Sequence, residues 1–449
     1  MSNNKSRGEL SMLKLTAPLA MEQVFRILIA SVDTLMLSSF SEKAVAGVGV
    51  VAQYSFFLNI LFSVIVTGTT IVLAQYLGAN KNEDELNSIA QSSTVMITVI
   101  SIVMTLVVFV FTKPLLNCYT LEDEVRQAAD DYFIIYGGIC AFFCAFSLLQ
   151  SGILRSYGYT KEALYVTIIA NLVNVFGNAV SIYGDRIGLP VFGVKGVAWA
   201  SGISMIVSCV LLQIIIIRKK DIKFNFKNIF KVDAKYYKLI LNVGVPTAGE
   251  SLSYNTAQIV SMAMITTLGT CAMNAQIYTQ TIIRFAYAIA IAMGNATQIK
   301  VGYLVGAHES DVAYKKVYRY WITSVGFSMS LVALCNLIKI PVVKIFTDNP
   351  ETTALTMSLL LVSFYIEFGR TMNLIFIGAL KGSGDVMFPV LYGIVSMWAI
   401  IVGLGAFFGL GLKLGIAGFW LATGTEETTR GIVMLFRWKS KRWQKHALV

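Results

Sequence analysis

Long apolar runs separated by short polar connections fill the chain, and their polar positions recur with helical rather than alternating spacing. Runs of about 20 residues or more recur twelve times, long enough for a helix rising ~1.5 Å per residue to cross ~30 Å of hydrocarbon. They fall at 13–38, 46–76, 89–111, 130–153, 163–183, 193–217, 239–267, 273–301, 318–340, 354–377, 387–408 and 415–435. Gly, Pro, Asn or a charge cluster bounds most of them. The pattern predicts an all-α polytopic membrane protein with twelve transmembrane helices and no soluble domain.

Polar interruptions inside the runs are few, so each needs a reason. The first run carries Glu22, Arg26 and Asp33, whose spacings of four and seven put them on one helical stripe. A charge facing lipid costs several kcal/mol, so the stripe is expected to face protein or a water-filled cavity. In a low dielectric a carboxylate either finds cationic and hydrogen-bonding partners or takes up a proton. Asp33 is therefore a candidate coupling site for H⁺ or Na⁺, and a structural pair with Arg26 is the alternative. Glu22 is a candidate cavity group or a satisfied acid beside the bend at Pro18, and Arg26 is expected to pair with it.

Composition agrees. The 449 residues are 56% hydrophobic and 14% charged, where soluble domains have about 25% charged residues. The formal net charge of +11 needs no nucleic-acid partner, because Lys and Arg concentrate in connections of one side, in the 218–238 loop and in the tail. The positive-inside rule then puts both termini in the cytoplasm of a cell with the protein in its plasma membrane. The first run is too long for a signal-peptide core and reads as a retained helix. Six scattered cysteines suggest packing rather than a disulfide framework or a metal site. The tail RWKSKRWQK reads as a membrane-surface anchor with interfacial tryptophan.

The chain also repeats itself. Pro18 and Glu22 recur 228 residues later as Pro246 and Glu250, and Gly78-Ala79 as Gly306-Ala307. At a slightly smaller offset Leu154-Arg155 matches Leu380-Lys381, and GVKGVAWA from Gly193 parallels GIAGFWLA from Gly415. Two pseudo-symmetric six-helix lobes follow, an N-lobe at 1–217 and a C-lobe at 239–449 joined by a basic cytoplasmic linker at 218–238. Six helices per copy give both the same topology, with a cavity expected between the bundles. Asp33 breaks the repeat, because Ser261 stands at its matching place.

Other polar groups complete the candidates. Asn171, Asn174 and Asn178 share a face of the fifth run and could offer carbonyl oxygens to a cation or lock helix to helix. Glu250, Arg284, Glu367 and Arg370 are candidate substrate-cavity residues, with Glu367 and Arg370 spaced for an ion pair. Lys300 is expected to snorkel, and Glu426, Glu427 and Arg430 to pair near one end of the last run. No Walker loop, nucleophile–base pair or metal spacing appears, so neither an enzyme nor a cofactor is expected.

VDTLM around Asp33, LGA after the second run, LR–G–T after the fourth, NLVNVFGN in the fifth and EFGRTMNLIFIGALKGSGDVMFP near the tenth together resemble the multidrug and toxin extrusion (MATE) transporters of bacteria. The resemblance implies alternating access and export of small organic cations and drugs in exchange for H⁺ or Na⁺, by a monomer in lipid. By it, Asp33, Asn174 and Asn178 match the family's coupling site and Glu250 an acid of one branch. Asn178 stands where many relatives have aspartate, and Arg370 where that branch is acidic, so coupling through the N-lobe is favoured. A lipid-linked oligosaccharide flippase or a non-transporting membrane scaffold or sensor are the alternatives.

Overall fold

A computed structural model describes residues 11–222 and 233–449. Lys5, Arg7, Lys223, Lys227 and Lys231 lie outside the described residues, as does the middle of the basic loop. Among the described residues the chain is helix and short connections, with no strand. The long helices are α1 (Met12–Phe40), α2 (Glu42–Gly78), α3 (Glu83–Asn117), α4 (Asp123–Tyr132), α5 (Ala141–Ser156), α6 (Thr160–Tyr183) and α7 (Gly193–Arg218). After the basic loop come α8 (Ala234–Thr266), α9 (Thr270–Gly306), α10 (Ser310–Leu337), the short α11 (Lys339–Phe346), α12 (Pro350–Gly382), α13 (Met387–Ser396) and α14 (Ile416–Lys439).

Nine of the described helices are long and apolar enough to span a membrane, and the pair joining α4 to α5, bent by 49°, makes a tenth. The bend follows the π-helical turn Phe133–Ile139, where Gly137 and Gly138 sit. The last two spans are α8 and α14, which are more polar because they hold Glu250 and the trio Glu426, Glu427 and Arg430. Twelve transmembrane helices result. Local chemistry sets several ends: Asn82 caps α3 by accepting from Glu85 N at 2.9 Å, and Asn349 caps α12 ahead of Pro350.

Helix α3 displays the solvent preference plainly. Val99, Ile102, Val103, Leu106 and Val110 form an exposed stripe, while Ser92, Ser93 and Ser101 are buried. Such a face is a liability in water and ordinary in lipid.

The described helices form two packing units, one from residues within Met21–Leu73 and Lys81–Gly244, the other from 11–20 with Ala74–Asn80 and Val245–Val449. These units differ from the sequence halves at short pieces: Leu15 and Leu19 of α1 pack on Ala292 and Ala296, and Gln75 donates to the Gly382 carbonyl at 2.8 Å. In the first unit α6 packs on α7, and α5 on α7 and α3. In the second, α12 packs against α9, α10 and α14.

Close backbone approach, not side-chain bulk, sets the α9–α12 contact. A Cβ at Gly378 would lie 2.5 Å from the Gly294 carbonyl oxygen, and one at Gly382 2.4 Å from that of Gln298. Backbone cannot yield as a flexible side chain can, so Gly378→Val is expected to cost at least ~1–3 kcal/mol. A lower thermal-unfolding midpoint of the purified protein checks this; an unchanged midpoint contradicts the contact.

The tail corrects one expectation. Trp438 and Trp443 are fully buried and stack with centroids 4.1 Å apart, in a cluster with Met293 and Phe376, so they are core rather than interfacial anchors. Arg437 binds Asp385 at 2.7 Å and the Leu448 amide donates to Gln75 at 2.8 Å, which seats the tail on its own unit.

Candidate functional site

In the first unit, α1 presents two separate polar centres. Glu22, 2% exposed, accepts from Arg155 of α5 at 2.5 Å and from Arg26 at 2.9 Å through the same Oε1. Arg26 thus pairs with Glu22 and not with Asp33. About three turns beyond Glu22, half-buried Asp33 accepts from Asn178 Nδ2 of α6 at 2.8 Å. That nitrogen also stands 3.4 Å from Asn174 Oδ1, and Asn174 donates to Ser201 Oγ of α7 at 3.0 Å.

A relay of amides therefore runs from α1 through α6 to α7. It is possible because α6 and α7 touch closely at Gly177, where a Cβ would lie 2.7 Å from that of Ala200. The Oδ1 of Asn178 is buried without a hydrogen-bond partner among the described residues. Asn171 is not part of this relay, and its buried Nδ2 is likewise unpartnered.

The second unit holds a larger assembly of charge. Glu250 of α8 binds Lys381 of α12 at 2.6 Å and, through its other oxygen, Arg430 of α14. Arg430 also lies 3.5 Å from Glu426, which accepts from Ser396 at 2.7 Å. Arg370 of α12 pairs with Glu367 and, at 3.0 Å, with Glu427, whose other oxygen accepts from Asn373 at 2.8 Å. Arg370 also lies over the Tyr287 ring at 4.6 Å. A cavity of about 500 Å³ opens onto Glu250, Tyr254, Arg370, Lys381, Glu427 and Arg430.

Glu426, Glu427 and Arg430 thus do not merely pair with each other near a helix end; they are buried and tie α14 to α8 and α12. Lys300 is 2% exposed and so does not snorkel. Arg284 is exposed on a second cavity of about 330 Å³ in the same unit. Sequence reasoning did not select Arg155, Ser201, Lys381 or Asn373. The repeat held a signal for two of them: Arg155 and Lys381 are matched in sequence, and each binds the matched glutamate, Glu22 or Glu250.

Chemically the centres differ. Every buried carboxylate of the second unit has a cation beside it, and so does Glu22. Among the described residues Glu22, Glu250, Glu367, Glu426 and Glu427 each have an ion pair, whereas Asp33, and Asp130 of α4, have none. No group of three His, Cys, Asp or Glu side chains suited to a metal occurs among the described residues.

The MatE family model matches residues 18–180 and again 246–407, once in each half. An uncharacterized transporter of Bacillus subtilis, YisQ, is 34% identical over 433 residues, covering 96% of this chain and 94% of the relative. A probable multidrug resistance protein NorM of Thermotoga maritima is 25% identical, covering 98% of this chain and 94% of that one. Among solved structures, an outward-facing multidrug resistance MATE family transporter of the MOP superfamily superposes with TM-score 0.88 at 19% identity, over 96% of this chain and 95% of that chain. The chain belongs to the MatE family and is a multidrug and toxin extrusion (MATE) transporter.

Proposed function

We propose that the protein is a secondary antiporter that exports small organic solutes from the cytoplasm while H⁺ or Na⁺ enters, with Asp33 as the coupling carboxylate. The observation that carries this is that Asp33 is held by an amide and has no ion pair among the described residues, whereas Glu22, Glu250, Glu367, Glu426 and Glu427 each have one. A carboxylate with a cationic neighbour is already neutralised. One held only by an amide can take a proton or a hard cation, and the oxygens of Asn174 and Asn178 stand near enough to complete an oxygen site. Glu22 and Glu250, each locked by basic partners at matched places, serve as struts of the two sequence lobes at 1–217 and 239–449. Both termini lie in the cytoplasm of a cell whose plasma membrane holds the protein as a monomer.

A conformational change is driven only by unequal affinity for its two end states, so ion and solute must favour opposite ones. The test is flux in reconstituted vesicles with ΔpH and Na⁺ gradients imposed separately. The panel includes organic cations, the class implied by resemblance, and organic anions. Flux driven by one gradient and collapsed by its dissipation is expected. Flux indifferent to both gradients overturns the antiport reading.

A further inference from the structure

The cavity of about 330 Å³ in the second unit lies among α8, α9, α12 and α14. Its charged lining is Arg284 and Arg370, with no carboxylate. Arg284 makes no ion pair or hydrogen bond among the described residues. Arg370 gives Nε to Glu427 and Nη1 to Glu367, neither of which lines the cavity, so Arg284 is the lining's uncompensated cation and Arg370 adds its remaining donors. Tyr254, Tyr287, Phe419 and Trp420 supply aromatic walls, and Gln276 is fixed by accepting from the Trp420 indole.

The duplication sharpens the point. Helices α2 and α9 each have 37 residues and start 228 positions apart, so they are counterparts residue for residue. At that offset Arg284 corresponds to Phe56, and Ser261 on the cavity wall corresponds to Asp33. At the 226-residue offset of Arg155 and Lys381, Arg370 corresponds to Cys144. Where the first half places an acid, an aromatic and a thiol, the second places a hydroxyl and two guanidiniums. The two halves have opposite polarity at equivalent places.

We infer that this cavity binds the anionic group of a small aromatic acid, a carboxylate or sulfonate, against Arg284 and Arg370, and that such anions are among the exported solutes. Guanidinium forks suit planar oxyanions, and the ring of the ligand stacks on the aromatic walls. A cavity of this volume is at the small end of ligand sites, which fits a bicyclic ring better than a large drug. The export half of the statement rests on the antiport reading; the binding half does not.

Binding is therefore measured directly, by calorimetry with the full-length protein in nanodiscs of zwitterionic lipid and no gradient. The probes are 2-naphthoate and an isosteric cation, 2-naphthylmethylammonium. Naphthoate is expected to bind at least about tenfold tighter than the ammonium. Arg284→Gln is expected to weaken naphthoate at least about tenfold and Arg284→Lys to restore part of it. Ser261→Asp, which installs the first half's acid, is expected to invert the preference and decides the matter if the arginine variant fails to fold. Equal or tighter binding of the ammonium, or naphthoate binding indifferent to folded Arg284→Gln or Ser261→Asp protein, overturns the inference. Binding that behaves as expected without gradient-driven flux sinks the antiport reading instead and leaves the binding site standing.

Discussion

Asp33→Asn is expected to fold, to reach the membrane at wild-type levels and to lose gradient-driven efflux down to the leak of empty vesicles. Asparagine has the shape of aspartate and its carbonyl can still accept from Asn178, so the relay through Asn174 to Ser201 stays in place. What disappears is the only group there that can hold a proton or balance a cation. Coupling between ion and solute, typically ~5–150-fold in affinity, falls to none. Solute binding without a gradient persists but no longer responds to pH or Na⁺, which separates lost coupling from lost binding. Intact, ion-responsive efflux in this variant removes Asp33 from the mechanism.

Arg430→Met is expected to destabilise the protein more than any substitution of a lipid-facing residue. Arg430 is 4% exposed and lies between Glu250 and Glu426, so its loss leaves two acids close together with only Lys381 to balance Glu250. Removing one member of a buried ion pair costs ~3–5 kcal/mol, largely through the charge left behind. That is comparable with the ~5–15 kcal/mol that holds a folded domain together. A sharply lower yield and unfolding midpoint in detergent are expected. Adding Glu426→Gln removes one stranded charge and is expected to recover part of the midpoint. A single variant as stable as wild type shows that the network contributes nothing to the fold.

The helix count was legible because hydrophobic length is a local property, although α8 and α14 required tolerance of internal charge. Pairs close in sequence were legible for the same reason: Glu22 with Arg26, Glu367 with Arg370. Partners brought together by packing were not. Asn178 meets Asp33 across 145 residues and Arg430 meets Glu250 across 180, and no periodicity encodes which faces meet. The tail misled because Trp and Lys in alternation look interfacial wherever they occur, whereas a tight turn at Lys441, in a left-handed conformation, folds Trp443 back onto Trp438. Lys300 misled through its position near a helix end, although α9 is buried there by its neighbours. The duplication was the best long-range signal in the chain, since a matched glutamate and a matched base in each half mark a contact made twice.

The ion pairs between α8 and α14 have a bearing on biogenesis. Each Asp, Arg or Lys at mid-helix raises the cost of entering the bilayer from the translocon by ~2.5–3.5 kcal/mol, and α14 carries two glutamates and an arginine. As the last of the twelve to emerge from the ribosome, it has no favourable resting place in lipid alone. In the folded protein its charges are met by Glu250, Arg370 and Asn373 on earlier helices, so insertion of the final segment is expected to depend on those helices being in place.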